Sequence, residues 1–167
     1  IGIVTDSHSS ISQEEAEKLG IFVLPMPFYI DGECFYESVT LSRELFFEKL
    51  AAGADITTSQ PSPTAVMEIW DRALEQFEKI LYMPISSGLS GSYETAMMLA
   101  KDEAYEGRVL VVDDGQVAAP LHQMVLDTLD MIKKGYEAEQ IRDLLERAGD
   151  RMMIYIALQT LECLKKG

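Results

Sequence analysis

The sequence is poor in positive charge and in cysteine. Its 167 residues include 14 Lys and Arg against 28 Asp and Glu, which gives a formal net charge of −14. Nucleic acids and anionic bilayers both attract basic surfaces, so this balance argues against either as a partner. The two cysteines, Cys34 and Cys163, form no CxxC pair, which argues against a disulfide framework or a zinc site. A reducing cytoplasm fits this composition.

Long hydrophobic runs and familiar phosphate-binding motifs are also missing. A membrane-spanning helix needs about 18 or more apolar residues, and the longest run here, residues 21–30, is interrupted by Pro25 and Pro27. Neither GxGxxG nor Gly-Lys-Ser occurs, which argues against a dinucleotide fold or a P-loop. With 47% hydrophobic and 25% charged residues, the composition is that of a globular domain with a core.

Segments typical of strands and helices alternate along the chain. We predict strands at residues 1–5, 21–24, 80–83, 109–112 and 152–157, and a hairpin of residues 28–30 and 34–36 around an Asp-Gly turn. Helices are predicted between them: Ser10 or Ser12 caps the first, Ser42 or Thr40 starts the second, a third follows Pro63, and a short helix is predicted at the end. Residues 57–63 are predicted to be a loop. This order is typical of an α/β fold with a largely parallel sheet flanked by helices.

Three loops rich in hydroxyl groups are expected at the carboxyl ends of strands, where α/β sheets bind ligands. They span residues 5–10, 57–63 and 86–92, and each precedes a helix. Hydroxyl groups beside the free N–H groups of a helix start can bind an oxyanion without a formal positive charge. A single such loop is more often only a helix cap, but three at one sheet edge favour a ligand site.

Catalytic and metal-binding motifs are weaker. The segment 88–92 resembles the nucleophile elbow of serine hydrolases, but it ends in Ser92 where the motif has Gly. A serine hydrolase also needs a histidine base. His8 is predicted to be a surface residue in a turn and His122 a helix residue, so neither indicates catalysis or a metal site. A serine esterase using Ser90 and a binding domain for another small anion, such as a phosphorylated sugar, remain as alternatives.

Several motifs resemble those of the DegV family, and they follow the family's order over the whole chain. They are residues 3–7 (IVTDS), 58–63 (TSQPSP), 86–93 (SSGLSGSY), 111–113 (VVD) and 161–167 (LECLKKG). The resemblance implies an α/β fatty-acid-binding protein. It also implies that residues 1–167 are the amino-terminal domain and that a carboxyl-terminal domain follows Gly167.

In bacterial fatty acid kinase, the DegV family supplies the non-catalytic subunit that presents a bound long-chain fatty acid to a separate ATP-using subunit. The resemblance therefore implies a kinase partner, an acyl phosphate product and no cofactor besides the fatty acid. It assigns the carboxylate to Thr58, Ser90 and the backbone N–H of Gly91. The residues expected to support this site are Ser59, Ser62, Ser87, Ser92, Asp6 and Ser7. The sequence departs from the family at Asp114, where Ser is usual.

Overall fold

The computed structural model of the protein describes residues 1–37 and 39–155. In chain order the elements are β1 (Gly2–Asp6), a single 3-10 turn (Ser7–Ser9), α1 (Gln13–Leu19), β2 (Phe22–Leu24), β3 (Pro27–Ile30), β4 (Glu33–Tyr36), α2 (Arg43–Ala51), β5 (Ile56–Thr58), α3 (Pro63–Leu74), β6 (Ile80–Met83), α4 (Ser92–Leu99), β7 (Val109–Val111), α5 (Ala118–Lys133) and α6 (Ala138–Gly149).

A parallel sheet with the strand order β2-β1-β6-β7 forms the centre of the molecule. Every residue of β1, β6 and β7 is buried, because helices cover both faces of the sheet. Ile3 and Leu81 pack on one face with α1, α5 and α6, whereas Val4 and Tyr82 pack on the other with α3 and α4. The predicted α/β fold with a largely parallel sheet is confirmed.

A second, antiparallel sheet has the strand order β4-β3-β5. Its hairpin turns at Asp31 and Gly32, whose φ angles of 51° and 83° are those that a tight two-residue turn demands. Helix α2 accompanies this sheet without burying any residue, and its Phe46 ring lies 5.8 Å from the Phe28 ring. None of the described helices is long and apolar enough to cross a membrane.

The structure corrects two of the secondary-structure predictions. Residues 57–63 are not entirely a loop, because Ile56–Thr58 pairs with β3 as strand β5. Residues 152–155 form no strand, because no described strand pairs with them. The remainder of that predicted strand, the terminal helix and Cys163 lie outside the described residues. Of the alternatives predicted for the first two helix starts, Ser12 and Ser42 are the caps, since each serine side chain accepts a backbone N–H of its helix. Ser62 caps α3 in the same way.

Candidate functional site

A cavity of about 190 Å³ lies where the two sheets meet, beyond the carboxyl ends of β1 and β6. One part of its wall is apolar and the other carries hydroxyl, amide and imidazole groups. The lining residues are His8, Met26, Pro27, Phe28, Thr58, Ser59, Gln60, Ile85, Leu89 and Ser90. All three loops that the sequence singled out contribute to this wall.

Larger grooves lie elsewhere on the described part of the chain. One of about 470 Å³ opens beside α4, β7 and α6, one of about 480 Å³ beside β2 and α3, and one of about 230 Å³ beside α2. No residue that the sequence assigned to the site lines any of these three grooves. The smaller cavity is therefore the candidate site, because it is lined by the hydroxyl-bearing residues that the sequence assigned to the site.

Thr58 and Ser90 reach the cavity from different sheets. Thr58 ends β5, opposite Phe28 of β3, and is exposed. Ser90 lies in the turn between β6 and α4, where its N–H donates to the Ser86 carbonyl over 3.2 Å. Its Oγ accepts the Ser92 N–H at 3.2 Å and lies 2.9 Å from the Ser92 Oγ. If Ser92 is the donor in both contacts, the Ser90 hydroxyl proton remains available to a ligand.

Gly91 occupies the N-cap position of α4 but does not itself line the cavity. Gly91 has no side chain to cap this helix, so, apart from the Ser92 N–H that the Ser90 Oγ accepts, its first N–H groups keep their donor capacity and the positive end of the helix dipole. A Cβ at Gly91 would lie 3.3 Å from the Gln60 side-chain oxygen, which accepts the Thr95 hydroxyl at 3.1 Å. Because glycine has no Cβ, the Gln60 side chain can pack closely against the turn at Gly91.

Most of the other residues assigned to the site do not line the cavity but form hydrogen bonds in the segments around it. Ser59 lines the cavity, whereas Ser62 caps α3 by accepting the Ala65 N–H at 3.2 Å. The Ser87 N–H donates to Asp113 at 3.3 Å, and Ser92 is buried beside Ser90.

Asp6 and Ser7 join the end of β1 to its surroundings. The Asp6 side chain is fully buried and accepts two backbone N–H groups, that of His8 at 2.9 Å and that of Ile85 at 2.8 Å. The Ser7 hydroxyl donates to Glu37 at 2.6 Å and accepts the Met26 N–H at 3.2 Å. These bonds connect the loops after β1 and β6 with the segments that flank the second sheet.

His8 is the residue of the site that sequence reasoning missed. The prediction of a surface residue was wrong, since the side chain is only 28% exposed and lines the cavity. Its Nδ1 lies 3.3 Å from the Asp6 carboxylate. Burial lowers the pKa of the imidazole, but Asp6 and the charge of Glu37 raise it more, and the net direction is upward. The available signal was its position, two residues after a buried strand and inside a hydroxyl-rich loop.

Asp114 follows β7 and is almost completely buried. Burial raises its pKa, the Gln116 N–H lowers it, and the charges of Asp113 and Asp6 raise it further, to about 7. One carboxylate oxygen, Oδ2, has no hydrogen-bond partner among the described residues. At neutral pH this carboxyl group is therefore partly protonated and carries less than a full negative charge.

Comparisons with known proteins agree with this architecture. A family model described as "Uncharacterised protein, DegV family" matches residues 1–167. The chain belongs to the DegV family. A DegV domain-containing protein of Caldanaerobacter subterraneus is 30% identical over 167 residues, which are 100% of this chain and 59% of that relative. One of Deinococcus radiodurans is 33% identical over 166 residues, 99% of this chain and 58% of that relative. The chain thus spans less than two thirds of either DegV relative.

Solved DegV structures share the fold. A structure described as fatty acid binding of a DegV family protein from Thermus thermophilus has a TM-score of 0.80 and 31% identity, covering 89% of this chain and 53% of that one. DegV from Bacillus subtilis, described as a fatty acid binding protein, has a TM-score of 0.78 and 24% identity, covering 89% and 53%. At this lower identity the Bacillus structure supports the fold alone.

Proposed function

We propose that this chain binds the carboxylate of a long-chain fatty acid in the cavity between the two sheets. The observation that carries the proposal is the double character of the wall, with the hydroxyl-bearing Thr58 and Ser90 beside the apolar Met26, Phe28 and Leu89. A fatty acid needs both, because its carboxylate needs hydrogen-bond donors and its tail needs apolar surface. The Thermus relative, at 31% identity and described as fatty acid binding, supports the same ligand class.

Each polar group has a distinct role in this proposal. The hydroxyls of Thr58 and Ser90 donate to the carboxylate, and the Gly91 N–H adds a donor at the uncapped start of α4. Ser59 adds a polar group to the wall, and Ser92 orients the Ser90 hydroxyl.

The loops that carry these donors are held in place by hydrogen bonds of four further residues, Ser62, Ser87, Asp6 and Ser7.

The tail extends beyond the described cavity in this proposal. The volume of about 190 Å³ is smaller than the roughly 300–1,000 Å³ typical of small-molecule pockets, so it suits a head group and a few methylenes. Leu89 lines the cavity and is 51% exposed, and we propose that the remaining carbons of the tail leave the cavity along this side chain. We propose that a second, carboxyl-terminal domain covers the tail, which agrees with the greater length of the relatives.

Calorimetry with oleate tests the two-domain part of the proposal. Each buried methylene contributes about 0.8 kcal/mol, whereas a neutral hydrogen bond contributes only about 0.5–1.5 kcal/mol. We expect residues 1–167 alone to bind oleate far more weakly than the protein extended to the length of its relatives. Equal affinities of the two proteins would mean that residues 1–167 contain the whole tail pocket.

Native mass spectrometry tests the ligand itself. Protein extended to the length of its relatives and mixed with oleate is expected to carry one oleate mass, and Ser90→Ala and Thr58→Val in it are each expected to reduce the bound fraction. Thr57→Val is the matched control, because Thr57 precedes Thr58 in β5 and does not line the cavity. Failure of the unmodified protein to retain oleate would contradict the proposed function.

We infer further that the chain is a non-catalytic carrier whose ligand is phosphorylated by a separate ATP-using kinase subunit. The family resemblance suggests this partner. Protein loaded with oleate and mixed with ATP alone is expected to form no acyl phosphate, which hydroxylamine trapping would detect. Acyl phosphate formation by the purified protein alone would contradict the carrier role.

An esterase that uses Ser90 is the second candidate, because His8 and Ser90 line the same cavity and Asp6 lies beside His8. Against it, Ser90 Oγ contacts Ser92, and no hydrogen bond joins it to His8 in the described part of the chain. A short p-nitrophenyl ester distinguishes the two functions. The carrier predicts hydrolysis no faster than that of Ser90→Ala, whereas a large loss in this variant would favour the esterase.

A further inference from the structure

His8 differs from the other residues of the cavity wall because its side chain can carry charge. The rest of the described wall consists of hydroxyl, amide and apolar groups. A carboxylate held only by neutral donors receives no ionic contribution. This inference rests on the proposed function, since it concerns the same ligand carboxylate in the same cavity.

The surroundings of His8 fix which ring nitrogen can meet a ligand. Nδ1 is buried, makes no hydrogen bond within the described residues, and lies 3.3 Å from Oδ1 of Asp6 as an ion-pair contact. Asp6 cannot easily move away, because its two carboxylate oxygens accept the N–H groups of His8 and Ile85. Nε2, on the opposite edge of the ring, is therefore the nitrogen that remains for a ligand in the cavity.

Two negative groups face the imidazole from the elements around it. Asp6 lies at the end of β1, and Glu37 lies after β4, where it accepts the Ser7 hydroxyl at 2.6 Å. Helix α5 also packs against the Ser7–Ser9 turn, but its His122 pairs with Glu15 of α1 at 3.2 Å. The two carboxylates outweigh the effect of burial on the pKa of His8, so the protonated form is favoured relative to a free histidine.

We propose that His8, as an imidazolium, binds the fatty-acid carboxylate through Nε2–H, so that ligand affinity falls as the pH rises and the ring loses its proton. The Asp6 carboxylate lies 3.3 Å from the buried Nδ1, on the side of the ring away from Nε2, which leaves Nε2–H as the charged donor to a ligand. Thr58 and Ser90 then complete the hydrogen bonding of the carboxylate with neutral donors. The site gains a local positive charge in a protein whose net charge is −14.

The proposal makes a reciprocal prediction. If the protonated form of His8 binds the carboxylate more tightly, the bound carboxylate must raise the pKa of His8 by the corresponding amount. A charged donor strengthens a hydrogen bond by about 1.4 kcal/mol over a neutral one, which corresponds to a roughly 10-fold higher affinity at low pH.

Decanoate binding measured by calorimetry at pH 6 and pH 9 tests the inference. Decanoate is ionised at both values, because carboxyl groups titrate near about 4, so the ligand itself adds no pH dependence. We expect the unmodified protein to bind decanoate about 10-fold more weakly at pH 9 than at pH 6. His8→Gln is expected to remove this difference. The matched control is His122→Gln, which is expected to retain it.

Proton NMR of the imidazoles gives a second, independent measurement. The sequence contains only two histidines, so His8→Gln assigns the His8 signal by its disappearance. The titration midpoint of His8 is expected to rise by about one pH unit on saturation with decanoate, as a 10-fold affinity ratio requires, and to stay unchanged with the uncharged 1-decanol.

The outcomes separate this inference from the proposed function. Decanoate binding that is independent of pH, or that keeps its pH dependence in His8→Gln, would overturn the role of His8 while the fatty-acid site stands. An unmodified protein that binds decanoate at neither pH would overturn the proposed function, and the role of His8 with it.

Discussion

The two sheets of this molecule differ in how they are stabilised. The parallel sheet has strands that are buried on both faces, whereas the antiparallel sheet is partly exposed and its helix α2 buries no residue. The candidate site takes Ser90 and His8 from loops that follow strands of the parallel sheet and Thr58 from the antiparallel sheet. The comparison teaches that a well-packed core positions most of the proposed ligand donors, while one proposed donor comes from a more weakly packed part.

Matched leucine substitutions should show the largest difference between the two regions. Leu81 in β6 is fully buried, and Leu50 in α2 is 41% exposed. Leu81→Ala is expected to lower the free energy of unfolding by about 2–5 kcal/mol, because it leaves a cavity in the core. Leu50→Ala is expected to lower it by less than about 1 kcal/mol. Urea unfolding monitored by circular dichroism measures both, and equal losses would contradict the difference in packing.

Asp114→Asn should stabilise the parallel-sheet region at neutral and higher pH. The carboxyl titrates near 3.8 in an unfolded chain and near 7 in the folded one, so the folded protein binds more protons between these values. Stability is therefore lost as the pH rises through this range, and an amide does not ionise. We expect a gain of about 1–3 kcal/mol at pH 8 and none at pH 4, measured by urea unfolding.

A control for Asp114 is Asp130→Asn, since the Asp130 side chain is 65% exposed and lies 3.7 Å from Lys133. This variant is expected to change the unfolding free energy by less than about 0.5 kcal/mol at both pH values. A gain for Asp114→Asn that is the same at pH 4 and pH 8 would contradict the burial of an ionisable carboxyl group.

Glu37→Gln removes a negative charge near His8, and its effect on the free energy of unfolding is expected to be smaller than that of Leu81→Ala or Asp114→Asn. Glu37 raises the pKa of His8, so its replacement by a neutral amide is expected to lower that pKa. The imidazole NMR titration measures the change. Glu33→Gln is a control in β4, where the exposed Glu33 pairs with Ile30 across the hairpin. An unchanged His8 titration in Glu37→Gln would mean that Asp6 alone sets the charge of the ring.

Cys34→Ser should have the smallest effect, because Cys34 is a free and exposed thiol of the antiparallel sheet. The unfolding free energy is expected to change by less than about 0.5 kcal/mol. In the unmodified protein, Cys34 should react with a maleimide without denaturant. A thiol that stays unreactive until the protein unfolds would mean that the antiparallel sheet is covered at β4.

The sequence predicted the parallel sheet well because its signals are local. Buried strands such as Ile80–Met83 are continuous apolar runs, and Ser12 is a helix cap that acts within three residues. Strand β5 was missed because it has only three residues, two of them threonine, and exists through pairing with β3 nearly 30 positions earlier. Long-range pairing of this kind leaves no periodic pattern in a short segment.

The sequence predicted which hydroxyl groups belong to the site, but it did not predict the charged group inferred at His8. Thr58 and Ser90 lie in hydroxyl-rich segments whose composition indicates an anion site, and the structure brings both to one cavity. The role inferred for His8 depends on the fold, because burial of Asp6 and the approach of Glu37 from the second sheet are tertiary contacts. An isolated histidine in a turn carries no sign of such neighbours.

A double-mutant cycle tests most directly whether Thr58 and Ser90 hold one carboxylate across the two sheets. Decanoate affinity would be measured by calorimetry for the unmodified protein, Thr58→Val, Ser90→Ala and the double variant. Each single change is expected to cost about 0.5–1.5 kcal/mol of binding free energy, and the double change is expected to differ from their sum by at least about 0.5 kcal/mol, because the two hydroxyls share one ligand group. Additive effects, or no effect of either change, would contradict a carboxylate site shared by the two sheets.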